Sequence, residues 1–186
     1  SSDVCSSDLV YYKGVDVLLR AFARTEGCAL FLAGEGVLEP QLRQEAQELG
    51  VADRVFFLGR LSDSDLRAAF RDCDLFVLPS VANSEAFGIV QLEAMVYGKP
   101  VINTALPTGV PLVSLDGETG LTVPPGDENA LADAIRTLAE DDDRREAYGA
   151  AAQRRVLEEF ELHSMIDRVY RVLADHTETE ERGMDK

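Results

Sequence analysis

Short, continuously apolar runs alternate with amphipathic stretches along most of this chain, and no other feature narrows its fold as much. The runs Ala29-Leu30-Phe31-Leu32, Val55-Phe56-Phe57-Leu58, Leu75-Phe76-Val77-Leu78 and Val101-Ile102 contain no polar residue, as expected of strands buried on both faces of a parallel sheet. Helical patterns lie between them. Val15, Leu18, Leu19 and Phe22 form one stripe, a second helix reads over 38–49 and stops at Gly50, and Leu66, Ala69 and Phe70 mark a third. Ser62 stands where it caps that third helix, with Asp65 in the place of a capping-box acid. Strand–helix repetition at this spacing means βαβ units joined by right-handed crossovers. The expected fold class is α/β, a Rossmann-like parallel sheet flanked by helices.

The 186 residues suffice for one substantial domain and are short for two. The character changes after Gly126, where Asp127 can cap a helix through Leu131, Ile135 and Leu138, and further helical segments reach about Leu173. Residues 11–175 are read as one Rossmann-like domain and 176–186 as a polar tail. The opening "SSDVCSSDL" breaks the pattern: it repeats Ser-Ser-Asp where the first strand, expected to end near Tyr11, should begin. Residues 1–10 are therefore read as a non-native or artefactual segment and excluded from functional reasoning.

A formal net charge of −16 argues against nucleic acid or an anionic membrane as the main partner. No run approaches the roughly 18 apolar residues of a membrane span, and no signal peptide is visible. The three cysteines lack metal-ligand spacing, which fits a reduced, cytoplasmic setting. An acidic chain can still hold an anion, but only with a local device, and it has three lysines: Lys13, Lys99 and Lys186.

In an open parallel sheet, ligands bind beyond the carboxyl ends of the strands. Lys13-Gly14, Gly34-Glu35-Gly36, Gly59-Arg60-Leu61, the loop 79–88 and the loop 103–109 with Thr108 and Gly109 all fall on that side. Lys99 follows a helix C-terminus, where a cation complements the helix dipole. Asp72-Cys73-Asp74 precedes its strand, so no metal role is assigned to it. Gly34-Glu35-Gly36 lacks the third glycine of a dinucleotide fingerprint, since Glu39 stands there. A tight turn with close loop packing is the better reading, and the backbone could still approach a ligand. His163 and His176 are read as structural.

The stretch "SEAFGIVQLEAM" is different. A helix over 88–98 would begin at the crevice, leaving the N–H groups of Phe87, Gly88 and Ile89 as unpaired donors for a phosphate or diphosphate. Gly88 would clear space for close approach, and Lys13 could supply the countercharge across the crevice. On that helix the buried stripe reads Ile89, Leu92 and Val96, and Glu93 falls on it. A buried carboxylate needs a partner. A ribose diol would satisfy both oxygens; an internal ion pair or cap is the alternative. Glu85 could meet sugar hydroxyls or developing positive charge, or be an exposed loop acid.

With these residues the chain resembles the C-terminal half of a family 4 (group 1) glycosyltransferase, a retaining enzyme of the GT-B type. The resemblance runs over about 11–173 and rests on "KGVDVLLRAF", "FLAGEG", "VADRVFFLGRLSDSDL", "DLFVLPSVANSEAFGIVQLEAMVYGKPVINT" and "GETGLTVPPGDENALADAI". Its most specific part is the pair of glutamates, Glu85 and Glu93, with seven residues between them. It implies a donor site in which Lys13 holds the diphosphate and Glu85 contacts the donor sugar. Phe87, Gly88 and Ile89 hold sugar and diphosphate by backbone, Glu93 binds the ribose, and Gly59, Arg60 and Leu61 hold the base. Gly34, Thr108 and Gly109 belong to the same substrate-binding set.

The implied reaction moves a hexose from a UDP- or GDP-sugar to a glycan or lipid-linked acceptor, with no cofactor and no metal. Two departures stand out. The family's Gly-Arg before the lysine aligns with Ser7 and Asp8, and "LPTGVPLVS" replaces the commoner Gly-Gly-x-Pro-Glu loop. The family's N-terminal domain, which brings the acceptor and would make any peripheral membrane contact, has no counterpart, so the isolated chain is expected to be inactive. The alternatives are a nucleotide-diphosphate-binding module without transfer activity, which has no use for Glu85, and a sugar-nucleotide epimerase or phosphorylase of the same fold.

Overall fold

The computed structural model describes residues 2–6 and 9–160, with side chains from residue 9 onward. The described strands are β1 (Ser2–Ser6), β2 (Ala29–Ala33), β3 (Val55–Gly59), β4 (Leu75–Val77), β5 (Val101–Thr104) and β6 (Gly120–Val123). They form one sheet in the order β3-β2-β1-β4-β5-β6, with every neighbouring pair parallel. The connecting helices are α1 (Val15–Phe22), α2 (Glu39–Glu48), α3 (Asp63–Asp72), α4 (Val90–Val96), α5 (Val110–Val113), α6 (Glu128–Glu140) and α7 (Asp142–Arg155). This is the parallel, doubly wound α/β arrangement expected from the strand–helix alternation.

The core lies between the sheet and the helices α1 and α6. Leu18, Leu19 and Phe22 of α1 and Ile135 and Leu138 of α6 are fully buried against Leu30, Leu32, Val77 and Ile102. Each such side chain contributes about 1.5–3 kcal/mol over its exposed state. Arg20 ties the outer surface of these helices together, donating to Asp16 of its own helix, Glu45 of α2 and Glu128 of α6 at 2.7–2.8 Å. Both expected caps are present. The Ser62 hydroxyl accepts from Asp65 N–H at 3.2 Å, and Asp127 accepts from the N–H groups of Asn129 and Ala130 at 3.0 Å.

Several expectations need correction. The first strand does not end near Tyr11: β1 is Ser2–Ser6, pairing with β2 on one side and β4 on the other. Tyr11–Lys13 is a 3-10 turn closed by Gly14. Poor intrinsic β propensity is overridden here by position, because apolar strands flank this backbone on both sides. The helix expected over 88–98 is shorter, Val90–Val96. Strand β3 is not buried on both faces, since Phe56 is 43% and Leu58 37% exposed. It is the edge of the sheet, and its outward residues rest on partial cover such as the stacked ring of Phe31, 5.1 Å from Phe56. The elements α5 and β6 add to the coarse reading, with β6 extending the sheet beyond β5.

Compactness divides the chain after Gln153. In the first unit, Gln153 of α7 donates to the Val96 carbonyl at 2.7 Å, and Arg145 donates to the Leu138 and Ala139 carbonyls at the end of α6. In the second unit the described residues are 154 and 155, which end α7, and the π-helical turn Val156–Phe160, with the Arg155 guanidinium over the Phe160 ring. Ser7 and Asp8, the histidines at 163 and 176, the helical pattern towards residue 173 and the tail 176–186 lie outside the described residues.

Candidate functional site

The strand order reverses between β1 and β4, and a sheet of this order offers its crevice at the carboxyl ends of those two strands. The loops that follow them are tied together by a backbone bond from Val81 N–H to the Tyr12 carbonyl at 2.8 Å. Directly beside this tie, Lys13 Nζ stands 2.6 Å from Glu85 Oε2. The Ser80 hydroxyl donates to the same carboxylate oxygen at 3.1 Å, and Thr104 Oγ1 of β5 donates to the Ser80 carbonyl at 2.7 Å. Ser80 is fully buried, and the Lys13 and Glu85 side chains are only 13% and 11% exposed. Glu85 is thus not an exposed loop acid. A cation and an acid taken from separate loops are held together at the switch point, largely out of water.

Glu85 leads into the corner at 86–89. Gly88 has φ +69°, and a Cβ there would sit 2.6 Å from Leu78 Cδ2 and 2.7 Å from Gln91 Nε2. Its glycine is therefore required by a left-handed turn against a packed wall, whereas the sequence suggested room for a ligand. The corner's own bonds run from Gln91 N–H to Gly88 C=O and from Leu92 N–H to Ile89 C=O. Among the described residues no acceptor is found for the N–H groups of Gly88 and Ile89. The loop at 108–110 joins the corner: Gly109 N–H donates to the Ala86 carbonyl at 2.8 Å, and the Phe87 ring lies against Gly109. Thr108 Oγ1 accepts weakly from Val110 N–H.

The register of α4 reverses the sequence expectation. Its buried face is Gln91, Ala94 and Met95. Ile89 and Val96 are 66% and 43% exposed, and Glu93 shares their open side. Glu93 is therefore not a carboxylate on a core stripe. Even so, the surrounding protein withdraws enough water to push its carboxyl above the ordinary glutamate value. No hydrogen bond or ion pair to the Glu93 carboxylate occurs among the described residues, so neither the internal ion pair nor the cap is seen there.

Gly34 and Gly59 are brought together by a bond from Gly34 N–H to the Gly59 carbonyl at 2.8 Å. Arg60 and Leu61 follow on the exposed edge of β3. The Gly34-Glu35-Gly36 turn packs against the chain at Leu9, whose N–H donates to the Glu35 carbonyl and whose carbonyl accepts from Leu38 N–H. That is the close loop packing expected of it. Asp72 accepts from Arg71 at 2.8 and 3.2 Å. Among the described residues no group of His, Cys, Asp or Glu side chains is arranged to hold a metal ion.

Sequence reasoning missed Ser80, Gln91 and Asn103. The last two are 0% and 1% exposed and bonded to each other at 2.9 Å. A signal existed: an amide inside the apolar strand "VINT" and another within an apolar helix each demand a buried partner. A cavity of about 560 Å3 lies elsewhere, between α1 and α2, lined by Tyr11, Asp16, Arg20, Gln41, Glu45 and Val81 among others. It contains none of the candidate donor-binding residues, and the Arg20 charge is already taken by three carboxylates.

Known proteins give this geometry a context. The chain is 37% identical over 157 residues to O-antigen chain mannosyltransferase C of Escherichia coli, covering 84% of this chain and 42% of that protein. It is 37% identical over 159 residues to the GDP-mannose-dependent alpha-(1-6)-phosphatidylinositol monomannoside mannosyltransferase of Mycobacterium tuberculosis, covering 81% of this chain and 41% of that one. Among solved structures it superposes on Anabaena Alr3699/HepE in complex with UDP-glucose with a TM-score of 0.83 and 28% identity, over 94% of this chain and 48% of that one. The chain thus spans under half the length of these relatives, and the fold it shares with them is that of GT-B glycosyltransferases. The model of the glycosyl transferases group 1 matches residues 4–155, and the chain belongs to that family.

Proposed function

We propose that this chain is the donor-binding half of a retaining glycosyltransferase that moves a hexose from a nucleotide sugar to a glycan or lipid-linked acceptor. The observation that carries this reading is the Lys13–Glu85 pair at the switch point of the sheet. A nucleotide binder needs a cation for its diphosphate; it has no use for a buried acid beside that cation. A transferase uses both, one for the leaving group and one for the sugar.

In this reading Lys13 and the N–H groups of Gly88 and Ile89 take the charge that develops on the leaving diphosphate, a preorganised electrostatic effect. Glu85, steadied by Ser80, accepts from sugar hydroxyls beside the reacting carbon, with the Phe87 backbone, Thr108, Gly109 and Gly34 around it. Glu93 accepts from the ribose diol, and Gly59, Arg60 and Leu61 border the base. No metal and no cofactor enters. The names of the mannosyltransferase relatives favour GDP-mannose as the first donor to test, with UDP-glucose second.

The acceptor side would come from a further domain, so the 186 residues alone are expected to bind donor without transferring sugar. A cytoplasmic setting and a role in surface polysaccharide or glycolipid assembly go with this reading. Among the described residues no helix is long and apolar enough to cross a membrane.

The test is calorimetric titration of the chain with GDP-mannose, UDP-glucose and ADP-glucose. Micromolar to low millimolar binding of one of them, lost in Lys13→Met, is the expected result. Absence of binding to all three defeats the proposal, and robust sugar transfer by the isolated chain defeats its half-site part.

A further inference from the structure

The two buried amides, Gln91 on α4 and Asn103 on β5, join three backbone segments. Gln91 Nε2 donates to the carbonyls of Phe87 and Val110, both at 3.2 Å. Asn103 Nδ2 donates to Gln91 Oε1 at 2.9 Å and to the carbonyls of Val110 and Ser114 at 3.2 Å. Asn103 Oδ1 in turn accepts from Thr122 Oγ1 of β6 at 2.7 Å. The acceptors are not arbitrary. Val110 opens α5 and Ser114 ends it, so one pair of side chains holds both ends of a four-residue helix too short to persist alone. Phe87 is the residue before the left-handed glycine.

The pair contributes stability, because apolar groups in its place would leave the carbonyls of Phe87, Val110 and Ser114 without these donors. The amides also choose a direction. The peptide joining Phe87 to Gly88 is planar and trans, so its carbonyl and its N–H point opposite ways. With the carbonyl drawn inward to Gln91, the Gly88 N–H must face away from the core. An apolar residue at 91 would leave that peptide free to rotate.

We infer that Gln91, braced by Asn103, is a positioning residue that holds the Phe87–Gly88 peptide with its N–H turned out to the crevice, ready for a diphosphate oxygen. The inference rests on the donor-site reading above. Gln91 acts through the peptide and does not itself touch the donor.

The experiment compares the wild-type chain with Gln91→Met, which keeps the length of the side chain, and with Thr122→Val, which removes only the outer brace. Each is titrated with GDP, UDP, GDP-mannose and UDP-glucose, and with guanosine and uridine. Gln91→Met is expected to weaken the diphosphate-bearing ligands about tenfold, the worth of one hydrogen bond to a charged group, and to leave the nucleosides unchanged. Thr122→Val should show a smaller loss with the same selectivity, and it carries the test if Gln91→Met does not fold. Unchanged diphosphate affinity in the variants overturns the inference while the donor-site reading stands. An equal loss for nucleosides and diphosphates overturns it too, by showing a general effect on the fold. If the wild type binds none of the diphosphate ligands, the donor-site reading itself fails, and the wild-type titration alone reveals this.

Discussion

Lys13 Nζ and Glu85 Oε2 meet at 2.6 Å where the loops after β1 and β4 come together, and each is the other's charge partner. A diphosphate arriving at Lys13 would compete with that carboxylate and be repelled by it. Glu85→Gln is therefore expected to tighten GDP or UDP by about 1 kcal/mol, the scale of one modest polar contact. It should also remove the extra affinity that the attached sugar confers. Titration of both ligand classes separates the two effects, and parallel changes in both would refute the division of roles.

The same pair makes a stability prediction. Removing one partner of a largely buried ion pair strands the other charge. Lys13→Met should therefore destabilise the fold by on the order of 3 kcal/mol, somewhat less if the Ser80 hydroxyl still steadies the carboxylate. The double variant Lys13→Met with Glu85→Leu should regain at least half of that loss in urea denaturation. A double variant no more stable than the single one would argue against the pair being desolvated.

Glu93 predicts a pH dependence. Partial burial raises its carboxyl above the ordinary value of 4.5, so the folded chain keeps this proton to higher pH than the unfolded chain does. Ionising Glu93 therefore costs stability; the penalty is absent well below 4.5 and complete above the raised value. Ribose hydroxyls would favour the ionised form. Nucleotide binding should then release protons and weaken as pH falls through the raised value, while Glu93→Gln flattens the profile. Calorimetry in two buffers of different ionisation heat measures the proton count directly. At neutral pH, Glu93→Ala should cost about 1.5–3 kcal/mol of nucleotide affinity.

Gly88→Ala tests the corner. A left-handed alanine costs about 1–2 kcal/mol, and its methyl group would enter the space of Leu78 and the Gln91 amide. Thermal denaturation should show a loss of at least about 2 kcal/mol, with diphosphate affinity falling more than nucleoside affinity. A variant with wild-type stability would contradict the packed environment of Gly88.

The sheet, the helices and the caps at Ser62 and Asp127 can be read from the sequence because each rests on local chemistry: an apolar run, a helical stripe, a side-chain oxygen before a helix. Lys13 and Glu85 are legible as candidates for the same reason, since topology places both loops at one edge. The phase of α4 is not legible. Left-handed Gly88 delays the helix start to Val90, and seven residues give too few turns for periodicity to show which face is buried. Counting from Gly88 places Glu93 on the buried stripe with Ile89 and Val96, whereas the buried face is Gln91, Ala94 and Met95. The partial exposure of Phe56 and Leu58 depends on β3 being an edge, which is a property of strand order and not of local sequence.

Lys13 and Glu85 lie 72 residues apart in the chain, and closing a loop of that length costs about 4 kcal/mol in chain entropy before any contact rewards it. The pair therefore cannot be assembled from neighbouring segments early in folding. It comes into being only when β4 has zipped onto β1, at the one seam of the sheet where the order of the strands departs from the order of the chain. Closure of the Lys13–Glu85 pair therefore waits on long-range strand pairing, and a substitution anywhere along β1 or β4 that slows that pairing would delay the pair without touching it.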